Sequence, residues 1–128
     1  LQPWHFVVVQ DRTTLRRLGE LARSGPYIAQ APLAIAVAIE ETVYAVSDAS
    51  RAIQSMMLAA WAEGVGSNWV GFHGLEASQP LLDIPAALDL LAIIPFGYPA
   101  DPGGKGKKRR KPLASVAHSE RFGQPFAP

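Results

Sequence analysis

Four apolar runs, each closed by turn-forming residues, alternate with two stretches in which apolar positions recur at helical spacing. The first run, His5-Phe6-Val7-Val8-Val9-Gln10, is continuous and largely β-branched, which predicts a buried strand. Asp11 then stands as a helix N-cap. Leu15, Leu18, Leu21 and Ala22 share one helical face, and Arg12, Arg16, Arg17 and Glu20 take the other. Gly25-Pro26 predicts the end of that helix, glycine suiting a left-handed C-terminal position and proline being unable to continue. Gln30-Ala31-Pro32 turns the chain into a second strand, Leu33–Ile39.

After the connection Glu40–Tyr44, Ser47 or Asp48 is expected to cap the longest helix, about Ala49 to Glu63. Ile53, Met56, Met57, Ala60 and Trp61 form its apolar face, while Ala49, Ala52, Ala59 and Ala62 leave almost no polar one. Such a helix is expected to be buried on most sides, and in so short a chain that points to a partner subunit. Gly64 and Gly66 end it, and a third strand is expected over Ser67–Phe72. A loop, His73–Gln79, and a turn or short helix, Leu81–Pro85, lead to a fourth strand, Leu88–Phe96, and a last short element falls near Leu113–Ala117. The order β-α-β-α-β-β places strands of both senses in one sheet, because no helix-length crossover separates the last two. Residues 1–128 read as a single domain, with a basic Gly/Pro-rich loop over residues 100–112.

Composition changes this picture in two places. With no cysteine there is no disulfide framework, thiolate nucleophile or thiolate metal site. The apolar runs are too short to span a bilayer and no leader pattern opens the chain, so a cytoplasmic setting without a membrane partner is expected. Charge is near balance at +1, but six of the twelve Lys and Arg lie within Lys105–Lys111. The remaining six face eleven carboxylates, leaving the body at −5. A nucleic-acid binder spreads cations over a face, because affinity follows the number of phosphates neutralised. One short block on an acidic body suits a compact anion instead.

Familiar chemistry motifs are largely excluded. Gly64-Val65-Gly66-Ser67-Asn68 ends a helix and precedes a strand, the reverse of a dinucleotide-binding loop. Gly103-Gly104-Lys105-Gly106 lacks the P-loop spacing, and no serine sits in a nucleophile elbow. His5, His73 and His118 are far apart, so no metal site is expected.

What remains is an ordered set of segments. Gln2-Pro3-Trp4-His5-Phe6, Gln30-Ala31-Pro32, Asp48-Ala49-Ser50 and Gly64-Val65-Gly66-Ser67-Asn68-Trp69-Val70-Gly71-Phe72 come first. Ile84-Pro85, Phe96-Gly97-Tyr98-Pro99 and Lys108-Arg109-Arg110-Lys111-Pro112-Leu113 complete it. In this order, over essentially the whole chain, they resemble the FMN-dependent nitroreductase family.

The resemblance implies an α+β fold with a central mixed or antiparallel sheet flanked by helices. It also implies a homodimer with FMN sites at the interface, each built from both subunits. NAD(P)H would reduce the flavin, and a nitroaromatic, quinone or related small-molecule acceptor would take the electrons in a ping-pong cycle. Carried over, Trp69, Val70 and Gly71 match the strand along the isoalloxazine, Lys108 and Arg110 the grip on the FMN phosphate, and Leu1, Gln2 and Pro3 the segment beside the ring. No catalytic side chain is expected, since hydride chemistry belongs to the cofactor. The family's opening helix and an asparagine ahead of Gln2 are not in this sequence, so a longer protein is expected. Two other readings use the same segments: a non-catalytic or degenerate dimeric paralogue, and a deazaflavin-using or flavin-processing member of the same fold.

Overall fold

A computed structural model describes residues 2–71, 74–101 and 108–126. Strand β1 (Trp4–Val9) is followed by helix α1 (Arg12–Leu21), a 3-10 turn (Pro26–Gln30) and strand β2 (Leu33–Glu40). Helix α2 (Ala45–Ala62) leads to a two-residue strand β3 (Gly66–Ser67), a short helix α3 (Ser78–Leu81), strand β4 (Leu88–Gly97) and a final 3-10 turn (Leu113–Ser115). The strands form one sheet in the order β1-β2-β4-β3, every pair antiparallel.

The α+β class and the antiparallel sheet agree with the sequence. Layers follow from strand alternation. On one face Val9, Ala34, Ala36 and Ile93 pack with Leu15 and Leu18 of α1 and with Ala22, Ile28 and Leu75. On the other, Val37, Ile39, Ala92, Ile94 and Phe96 pack with Ala45, Ala49 and Ile53 of α2, flanked by Trp4 and Trp69. The β2–β4 register slips between Val37 and Ala38, so that Leu91 is an extra residue in β4.

Several expectations change in the structure. β1 is not buried on both faces: it is an edge strand on which Phe6 is 41% and Val8 59% exposed, because of β1 only Trp4 packs into the core under α2. Asp11 does cap α1, accepting from Thr14 N at 2.7 Å, but the helix stops at Leu21 and Gly25 opens the 3-10 turn with φ −140°. α2 starts at Ala45, ahead of Ser47 and Asp48, and has no side-chain cap. Only Ala45, Ala49 and Ile53 of α2 are buried in this chain; Val46, Leu58 and Trp61 are exposed. Finally, the third strand is broken: after Ser67, pairing with β4 resumes only at the single bridge Val70–Ile93. Gly64 ends α2 as expected, with φ +76°. Among the described residues no helix is long and apolar enough to cross a membrane.

Candidate functional site

The segment Trp69–Gly71 is fixed by one residue. Val70 donates to Ile93 O at 3.0 Å and accepts from Ile93 N at 2.7 Å. In an antiparallel pair of this kind the flanking residues turn their polar groups the other way. The backbone groups of Trp69 and Gly71 therefore face away from β4. The Trp69 N–H is taken by its neighbour's side chain, Asn68 Oδ1, at 2.8 Å. The same amide donates through Nδ2 to Tyr27 Oη at 2.8 Å.

Gly71 serves the chain itself. A Cβ there would lie 2.6 Å from the Leu91 carbonyl oxygen and 3.1 Å from Ala92 Cα, so the glycine admits the extra residue of β4. Its other side opens on a hollow of about 510 Å³ whose charged and polar lining is Arg23, Glu76, Gln79 and Asp89. Sequence reading singled out none of these four, nor Tyr27. Their meeting depends on long-range contacts that leave no local signal.

The remaining expected site residues do not converge on this strand. Pro3 is buried at the start of β1, its carbonyl accepting from Glu40 N at 2.9 Å, and Gln2 is exposed beside it. β1 and the Val70 bridge occupy opposite edges of the sheet, three strand spacings or about 14 Å apart. Lys108 and Arg110 are exposed in the basic loop, where Arg110 borders a shallow groove with Lys111, Leu113 and Val116. Among the described residues no hydrogen bond or ion pair ties either cation to Trp69–Gly71. Leu1, Lys105 and Lys107 lie outside the described residues.

Two of the histidines stand apart from this strand. His5 Nε2 lies 3.5 Å from Glu40 Oε1 at the half-exposed β1 edge, and His118 packs against Phe122 with ring centroids 4.4 Å apart and planes tilted by 52°. His73 lies outside the described residues. No group of three His, Asp or Glu able to hold a metal occurs among the described residues. Asp11 is held below the usual carboxylate range by its bonds from the Thr14 backbone and hydroxyl.

Residues 24–98 match the profile of the nitroreductase family. A protein of Methanothermobacter thermautotrophicus named "Putative NADH dehydrogenase/NAD(P)H nitroreductase" is 35% identical over 112 residues, which are 80% of this chain and 59% of that protein. The chain thus spans about three fifths of that relative's length. A crystal structure of a protein with the same name from Bacteroides thetaiotaomicron superposes with a TM-score of 0.79 at 30% identity, covering 94% of this chain and 73% of that one. An FMN-dependent nitroreductase from Clostridium difficile R20291 shares the fold at a TM-score of 0.83 and 24% identity, over 95% and 78% of the two chains.

Proposed function

The chain belongs to the nitroreductase family, and from that premise we propose that it is an NAD(P)H-dependent FMN oxidoreductase that works as a homodimer in the cytoplasm. The observation that carries the reading is the outward-facing backbone of Trp69 and Gly71, with an open hollow beside Gly71 and with the Trp69 carbonyl, though not its N–H, left free by Asn68. A flat heteroaromatic ring is recognised by just such edge-on hydrogen-bonding groups, and the residues present fit it.

When bound, FMN supplies the redox chemistry, taking hydride from NAD(P)H and passing electrons to a nitroaromatic, quinone or related acceptor in alternate half-reactions. The chain's own work is binding and orientation. Lys108 offers the phosphate a point charge and Arg110 a bidentate fork. The backbone of Trp69 and Gly71 aligns the ring edge, and the side chains of Trp69 and Val70, packed in the two cores, keep that backbone still. Gln2 and Pro3 sit too far across the sheet to serve the same ring, so they serve the ring of a second copy. The exposed apolar arc of α2, Val46, Leu58 and Trp61, is the surface for that copy.

Purified protein should be yellow and should release FMN on denaturation. Lys108→Ala with Arg110→Ala should strip the flavin and leave the fold intact by circular dichroism. Colourless wild-type protein that ignores added FMN would refute the reading.

A further inference from the structure

We propose that Tyr27 and Asn68 are positioning residues that set where the Trp69–Gly71 backbone stands against the flavin. The inference rests on the FMN reading above and concerns residues which that reading leaves without a role.

The ladder between the 66–71 segment and β4 is interrupted. Ser67 pairs with Phe96 and Val70 with Ile93, and between them Asn68 N reaches Pro95 O only at 3.3 Å. On the side away from β4, the Asn68 side chain holds the segment at this gap. An N–H can only donate, so the amide oxygen must face Trp69, and Nδ2 is thereby aimed at Tyr27 Oη, 2.8 Å away. One side chain joins two segments 41 residues apart in the chain.

The Tyr27 end is a firm base. The 3-10 turn that carries it is pinned by Arg12, whose Nη1 donates to Ala31 O at 2.9 Å and Nη2 to Ala29 O at 3.2 Å. Gly19 of α1 lets the turn approach so closely that a Cβ there would lie 2.8 Å from Pro26 O. A second tie runs from the turn to the strand: a Cβ on Gly25 would lie 2.6 Å from Val70 Cγ1. The path is continuous, from Arg12 through the turn and Tyr27 to Asn68 and the Trp69 amide. A group fixed in advance binds a rigid ring at less ordering cost than one fixed on contact.

The test compares wild-type protein with Tyr27→Phe, Asn68→Ala and the double variant. Three readouts are the FMN dissociation constant, the position of the flavin visible band, and hydrogen exchange at the Trp69 amide of flavin-free protein. Each single variant should weaken FMN binding about fivefold, the size of one exposed hydrogen bond. Each should also shift the visible band and speed Trp69 exchange, and the double variant should be no worse than Asn68→Ala alone. If Asn68→Ala fails to fold, Tyr27→Phe decides, since it removes only a hydroxyl. Wild-type protein that binds FMN while Tyr27→Phe leaves affinity, band and exchange unchanged overturns this inference alone. Wild-type protein that binds no FMN overturns the proposed function and this inference with it.

Discussion

Replacing Gly71 by alanine separates two reasons for a glycine at that position, clearance for a flavin and clearance for the chain. The new methyl would stand 2.6 Å from the Leu91 carbonyl oxygen, 3.0 Å from Trp69 Nε1 and 3.1 Å from Ala92 Cα. Two of these are backbone atoms at the bulge of β4, and backbone cannot rotate away. Relief requires the strand to lift from β4, which stretches both Val70–Ile93 hydrogen bonds. Overpacking of this kind costs about 1–3 kcal/mol. Gly71 is not in the left-handed region, so alanine adds no backbone strain there. It also restricts the unfolded chain, which returns about 0.4–1 kcal/mol. At the middle of both ranges the net loss is about 1.3 kcal/mol, or about 5 °C in Tm for a chain of this size. The assay is thermal and urea denaturation of protein freed of flavin, where a lower midpoint at constant m-value reports stability alone. Flavin-free Gly71→Ala as stable as wild type would refute the argument, whatever happened to FMN affinity.

Three further outcomes are expected. Gly19→Ala, which helix propensity alone would make stabilising by about 1 kcal/mol, should instead destabilise, because its Cβ would meet Pro26 O at 2.8 Å and Ala29 N at 2.9 Å; a raised urea midpoint would contradict this. Asp11→Ala should lower Tm at pH 7, and the gap to wild type should close in acid. The folded-state pKa of Asp11 is depressed, so its contribution is present above the ordinary carboxylate pKa and lost as pH falls through the folded value; a gap that persisted at pH 2 would count against the cap. Trp61→Glu, on the exposed arc of α2, should raise the dimer dissociation constant more than about tenfold without lowering Tm of the monomer, as sedimentation across a concentration series would show.

Much of the architecture was legible because local chemistry decides it. The strands expected over Leu33–Ile39 and Leu88–Phe96 occur as Leu33–Glu40 and Leu88–Gly97, being central strands buried by their neighbours. Asp11 and Gly64 mark helix ends through a side-chain acceptor and a left-handed φ, both properties of single residues. The failures are all tertiary. The Val7-Val8-Val9 run reads alike on an edge strand and a central one, and only the sheet order leaves Val8 exposed. Gly25 looks like a helix stop but is small because Val70 lies against it, 45 positions along the chain. Ser67–Phe72 reads as an unbroken strand, and the Asn68 amide that interrupts it acts through Tyr27. For the site, sequence named both Pro3 and Trp69–Gly71 but could not say that β2 and β4 stand between them.

That separation has a genetic reading. Under the two-copy site proposed above, a lesion at Gln2 and one at Gly71 damage different halves of each ring's surroundings. Two inactive variants mixed and allowed to exchange subunits would regenerate, in every heterodimer, one ring flanked by undamaged residues and one flanked by both lesions. Random exchange would restore about a quarter of the sites. Complementation between alleles would then map every residue to one bank of the cleft or the other, with no structure of the dimer in hand.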